Sequence, residues 1–136
     1  MNLKNEVYYN WGRNSKIKTK IISPKNYNEL KKIIKNKNFI VQGNKRSYGD
    51  VALNKKLLIS MKNFNQIKYF NKKKGIIEIE SGVLPKDLIT KITDYKWFVP
   101  VTPGTKYVSL GGMVANNIHG KNIIKGLFKI YNNLQK

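Results

Sequence analysis

The sequence predicts an α+β fold in which small β-sheets are flanked by two helices. Three observations predict it. Residues 17–42 read as a strand, a helix and a second strand in succession. Residues 67–80 read as a two-stranded hairpin. Residues 84–92 carry a second apolar stripe at helical spacing. With 136 residues and a 40% hydrophobic fraction, the chain has the material for one core.

The elements follow in order. Tyr8-Tyr9-Asn10-Trp11-Gly12-Arg13 is aromatic and irregular, and is expected at the edge of the core. Ile17 to Ile22 alternates apolar and polar residues, the pattern of a short strand. Ser23-Pro24 is expected to open the first helix, with Ser23 as N-cap and Pro24 in the first turn. Tyr27, Leu30, Ile33 and Ile34 carry that helix to about Asn36 with one buried face. Phe39 to Gln42 is expected as a short buried strand that completes a β-α-β unit.

Leu57 to Met61 reads as a further strand. Ile67 to Phe70 and Gly75 to Glu80 form the hairpin, with Asn71-Lys72-Lys73-Lys74 as its polar turn. Ser81-Gly82 breaks the strand. Leu84-Pro85-Lys86-Asp87 opens the second helix, whose apolar side holds Leu84, Leu88, Ile89 and Ile92. Trp97-Phe98-Val99 is expected as one more short strand. Gly111 to Asn117 reads as a tight turn entering a short helix of small residues.

The formal net charge is +20. Every cation except Arg13 and Arg46 is Lys, scattered and accompanied by heavy Asn and Ile usage. That joint bias is what an AT-rich coding sequence produces. Nucleic-acid readers favour the bidentate fork of Arg, so a polynucleotide is not the expected partner. Attraction to anionic lipid or a phosphorylated substrate fits the charge better. Cysteine is absent and His119 is the single histidine, which argues against disulfides and transition-metal sites. The first residues lack the apolar core of a signal peptide, and no run approaches the ~18 apolar residues of a membrane span. The expected location is cytoplasmic, or peripheral at the inner face of a membrane.

Three stretches carry candidate chemistry. Gly43-Asn44-Lys45-Arg46-Ser47-Tyr48-Gly49-Asp50 combines glycines, cations and a hydroxyl behind a short apolar strand. Glycines admit positive φ and close backbone approach, so successive N–H groups can cradle a phosphate. The same residues also fit a plain turn capped by Asp50, and the stretch alone does not separate the two readings. It is neither a Walker A loop nor a dinucleotide fingerprint, because both glycine spacings are absent. Pro103-Gly104-Thr105 with Leu110-Gly111-Gly112-Met113-Val114-Ala115-Asn116-Asn117 is the second stretch. It suits an extended ligand lying on the backbone, with a helix start near Gly112 favouring a phosphate; close packing alone would also use these residues. His119-Gly120-Lys121-Asn122 is the third, either a packed histidine or the edge of an active site. Two Gly-rich loops that each leave a short strand can converge on one extended phosphate ligand.

Trp11-Gly12-Arg13, residues 43–50, residues 97–105 and residues 111–122 occur in an order and spacing that resemble the N-terminal part of FAD-dependent oxidoreductases of the vanillyl-alcohol oxidase / p-cresol methylhydroxylase (PCMH) type. The branch resembled most is the polyprenylphosphoryl-ribose oxidases, with sugar-lactone and alditol oxidases further off. The resemblance covers about residues 7–122 and implies a PCMH-type FAD-binding domain, its pyrophosphate-binding lobe made of small sheets and flanking helices. It implies that Gly43, Asn44, Lys45, Arg46, Ser47 and Tyr48 wrap the FAD pyrophosphate. Pro103, Gly104, Gly111, Gly112, Asn116, Asn117 and Gly120 are then expected to line the pyrophosphate and ribityl chain. His119 and Lys121 are expected near flavin and substrate.

The implied activity is oxidation of a sugar hydroxyl, on a sugar or polyprenyl-phosphate sugar, in cell-envelope synthesis. Related branches tether flavin through a histidine in the first loop. Arg46 stands at that position, so non-covalent FAD is expected. From Ile123 onward the chain departs from the family pattern, which continues there as a Gly-Ser-Phe-Gly stretch. Residues 1–122 are therefore expected to be the N-terminal part of the domain, and 123–136 an atypical tail from truncation or frameshift. On that reading either a second chain supplies the substrate lobe, or the chain is a non-catalytic remnant; a basic nucleic-acid-binding module is the remaining alternative. The 136 residues alone are then expected to bind FAD weakly if at all, and to be inactive.

Overall fold

The structure is a computed structural model that describes residues 3–35 and 38–118. The expected boundary at residue 122 lies outside the described residues. The first sheet has four strands: β1 (Leu3–Tyr9), β2 (Lys16–Ile22), β3 (Ile40–Gln42) and β4 (Leu57–Ser60), in the order β1-β2-β4-β3. β1 runs antiparallel to β2, while β2, β4 and β3 are parallel. The β-α-β unit is present through α1 (Tyr27–Ile33), but β4 is inserted between its two strands. Ile22, Ile33 and Ile59 form the core of this half, with Leu30, Phe39, Leu57 and Met61 packed around them.

The second half is built from the hairpin β5 (Ile67–Asn71) and β6 (Ile76–Ile79), the helix α2 (Pro85–Thr93) and the short helix α3 (Leu110–Ala115). The Asn71 side chain accepts from the N–H groups of Lys73 and Lys74, and Gly75 closes the turn at φ +64°. Leu88 and Ile92 of α2 meet Val83, Val101, Leu110 and Met113 in a second core, against the hairpin residues Ile67, Phe70, Ile77 and Ile79. The expected apolar stripe on 84–92 is therefore the packing face.

Four expectations are corrected. Residues 8–9 are not irregular: they end β1, which pairs with β2 along its whole length, and Tyr8 is buried. Alternation is weak there because Val7, Tyr8 and Tyr9 follow one another, so no period-2 pattern marks the strand. Burial pushes the Tyr8 phenol up to about 12. The first helix is capped by Asn26, whose side chain accepts from Glu29 N–H at 2.9 Å, rather than by Ser23. It also ends at Ile33, so Tyr27 and Ile34 stay largely exposed. Gln42 is the buried residue of β3, whereas Val41 points outward. Residues 97–99 form no strand. The Trp97 indole instead donates to the Lys72 carbonyl at 2.7 Å and covers Gly75 in the hairpin turn, so it serves as a packing lid.

Candidate functional site

The two halves meet where β3 ends and α3 begins. Met61 N–H donates to the Gln42 carbonyl at 3.0 Å, which holds the exit of β3 against the strand β4 has just left. Gly43 follows at once. A β-carbon there would collide with Ser109 Oγ, so glycine is what lets the first loop touch the start of α3. Gly111 makes the equivalent approach to Ser81, where an added β-carbon would lie 2.7 Å from the Ser81 Cβ. Asn44 Nδ2 donates to the Tyr107 carbonyl at 2.6 Å and ties the two loops together.

These contacts leave a cleft of about 1030 Å³. Gly43, Asn44, Lys45, Arg46, Ser47, Tyr48, Pro103, Gly104, Gly111, Gly112 and Asn116 all line it. Asn117 does not; it sits at φ +44° and terminates α3 through its N–H to the Val114 carbonyl. His119, Gly120 and Lys121 lie outside the described residues. The cleft also takes in Trp11, Gln42, Met61, Ser81, Val108 and Ser109, none of which the sequence pattern singled out as site residues apart from the Trp11 motif.

Arg46 is fixed in place. Its guanidinium carbon lies 3.8 Å from the Trp11 ring centroid and 5.7 Å from that of Tyr107. Trp11 N–H donates to the Ser47 carbonyl at 3.1 Å, so the end of β1 braces the same loop. Stacking of this kind orients the guanidinium fork while leaving its N–H groups to bond in the ring plane.

The start of α3 and the first loop differ in what they offer an anion. At the start of α3 the amides are already used. Leu110 N–H donates to the Val83 carbonyl, Gly111 N–H to Ser81, Gly112 N–H to Ser109 Oγ and Met113 N–H to the Ser109 carbonyl. The expected phosphate preference of that helix start is not supported; the glycines there supply close approach and open space. In the first loop, no backbone N–H of residues 44–48 donates to a protein acceptor among the described residues. Lys45 adopts φ +57° in the middle of that run. Successive free amides around a left-handed residue are an anion-binding arrangement.

A third observation singles out the same cleft. Among the described residues, the buried side-chain polar atoms without a partner are Gln42 Nε2, Gln42 Oε1 and Arg46 Nε. All belong to residues that line it. Buried polar groups are ordinarily satisfied, so unsatisfied ones gathered in one concavity point to a ligand. Free amides, a braced Arg and glycine-lined walls suit the length and charge of a dinucleotide such as FAD.

Comparison with known proteins agrees with this geometry. Residues 19–131 match the family model described as FAD binding domain. The chain belongs to this FAD-binding domain family, and its fold is that of the PCMH-type domain. It is 32% identical over 84 residues to decaprenylphosphoryl-beta-D-ribose oxidase of Mycolicibacterium smegmatis, a match covering 61% of this chain and 18% of that protein. Among solved structures, it resembles cholesterol oxidase from B. sterolicum at a TM-score of 0.74 and 18% identity, over 88% of this chain and 25% of that one. It also resembles alkyldihydroxyacetonephosphate synthase at a TM-score of 0.62 and 17% identity, over 74% of this chain and 21% of that one. The chain thus spans a quarter or less of the length of these relatives.

Proposed function

We propose that this chain supplies the pyrophosphate-holding wall of the FAD site in an oxidoreductase that oxidises a sugar hydroxyl. The observation that carries the reading is the convergence of free loop amides, braced Arg46 and unpartnered Gln42 on one glycine-lined cleft. FAD, when bound, supplies the capacity to accept hydride from a carbon bearing a hydroxyl. The chain's own residues hold and orient it. Residues 44–48 cradle the pyrophosphate charge through backbone N–H groups, and Arg46 adds charge-assisted bonds. Arg46 occupies the loop position that could otherwise carry a tethering histidine, so the flavin is held without a covalent bond.

The sugar assignment draws support from the 32% identity to an oxidase named for a polyprenylphosphoryl ribose. A phosphorylated lipid substrate is compatible with the +20 charge. Substrate-binding groups are proposed to lie on polypeptide beyond the described residues, in the same or a partner chain, because the cleft shown here is an open wall. The test is binding of FAD to the purified chain, followed by flavin fluorescence. Weak but saturable binding reversed by ADP is expected, as for a chain that supplies one wall of the site. Flavin that stays with acid-precipitated protein would contradict the non-covalent assignment.

A further inference from the structure

Gln42 is 2% exposed, ends β3 and lies at the base of the cleft, directly before Gly43. Its backbone is committed to the sheet, pairing with Ser60 and accepting from Met61 N–H. Its carboxamide is not: neither Nε2 nor Oε1 has a partner among the described residues. The position therefore buries an N–H donor and an acceptor side by side, with nothing among the described residues to meet either. An apolar side chain of the same length would fill that space without the cost of unmet polar atoms. A carboxamide kept there is explained by a ligand group that both donates and accepts.

A phosphate does not meet that description. Its oxygens accept only, so they would serve Nε2 and leave Oε1 bare. A hydroxyl does meet it, since it donates once and accepts as well. In FAD the pyrophosphate is flanked on one side by the ribose and on the other by the ribityl chain, both of which carry hydroxyls. Gln42 adjoins the loop whose amides are free for the pyrophosphate, so a flanking hydroxyl is the group within its reach.

We propose that the Gln42 carboxamide hydrogen-bonds a sugar-type hydroxyl next to the FAD pyrophosphate, making it a specificity residue that distinguishes a dinucleotide from a bare polyphosphate. The proposal rests on the FAD reading above. It differs from the loop's role in being neutral, side-chain based and blind to phosphate.

The test compares the wild-type chain with Gln42→Met and Gln42→Leu, using thermal unfolding and titration with FAD, ADP and inorganic pyrophosphate. Both variants are expected to melt higher than wild type without ligand, by several degrees, because two unmet polar atoms are gone. Both are expected to bind FAD about tenfold or more weakly. Pyrophosphate binding should be unchanged. If ADP binding falls as well, the hydroxyl is on the ribose; if only FAD binding falls, it is on the ribityl chain. FAD binding within about twofold of wild type would overturn the inference while leaving the FAD reading intact. So would an equal loss for pyrophosphate, which would make phosphate the partner. Lower melting of both unliganded variants would show the amide to be satisfied within the protein, and would overturn it too. Wild-type protein that fails to respond to FAD would overturn the FAD reading and this inference with it, a result distinct from the other three.

Discussion

Gly43 and Ser109 are in contact across the junction between the first loop and α3, at a separation that leaves no room for a β-carbon on residue 43. Ser109 is held there by its own task, since its Oγ accepts from Gly112 N–H at 3.2 Å and caps α3. One side chain therefore sets both the spacing of the cleft walls and the start of the second wall.

Gly43→Ala is expected to cost about 1–3 kcal/mol, the range for forcing an extra carbon into a packed contact. Ser109→Ala alone is expected to cost about 1 kcal/mol through loss of the cap. The double variant should be less destabilised than the two added together, because removing Oγ relieves the collision. Urea unfolding of the four proteins measures the coupling. Strict additivity would show that the two residues do not press on each other.

Arg46→Lys keeps the charge but loses the planar fork stacked on Trp11. FAD binding should weaken about tenfold or more, as for a lost charge-assisted hydrogen bond. The Trp11 emission spectrum should shift as its stacked cation leaves. Trp11→Leu should weaken binding as well, by less, because it removes the brace and not the donor. Isothermal titration separates the two.

Glu80 gives the fold an acid limb. Burial pushes its carboxyl up, but this is outweighed by the Gln66 N–H at 2.9 Å and by Lys68 at 3.0 Å, so it is held below its ordinary 4.5. A depressed carboxylate stabilises the folded state at pH above its unfolded value and loses that contribution as pH falls through the folded value. Thermal stability should therefore be steady above about pH 5 and fall as pH drops below the ordinary 4.5. Glu80→Gln should be less stable at pH 7, and the gap to wild type should close as acid is added. A gap that widens in acid would contradict the assignment.

Gly75 provides a control remote from the cleft lining. Its φ is +64°, and an added β-carbon would lie 2.6 Å from the Trp97 ring. Gly75→Ala should cost about 1–2 kcal/mol from the backbone alone, with more from displacing Trp97. FAD affinity measured on the folded protein should not change. Circular dichroism melts and flavin titration check the two halves of this expectation.

Local patterns made much of this legible in the sequence. The hairpin, α2 and the β2-α1-β3 succession follow from period and turn chemistry, which act over a few residues. β1 was not legible because its apolar residues do not alternate cleanly and its partner supplies the order. Residues 97–99 have strand composition, yet Trp97 finds a better partner in the hairpin turn than any sheet edge provides. The glycines at 43, 111 and 112 marked the cleft, since they are needed wherever backbones approach. Ser109 and Ser81, which those glycines meet, were silent because each contact joins residues far apart in the chain. Gln42 was hidden for another reason: its signal is the lack of a partner, which only a folded structure can display. The amides at the start of α3 proved to be occupied and those of residues 44–48 free, although both Gly-rich stretches look alike as sequence.

We propose above all that the cleft between residues 43–48 and α3 holds FAD through free loop amides and Arg46. Titration of FAD against the wild-type chain, followed by quenching of flavin fluorescence and repeated with Arg46→Ala and Gly75→Ala, tests it most directly. Weak but saturable binding that ADP reverses is expected, weakened further by at least about tenfold in Arg46→Ala and unchanged in Gly75→Ala. A flat wild-type titration, or equal binding by Arg46→Ala, would contradict it.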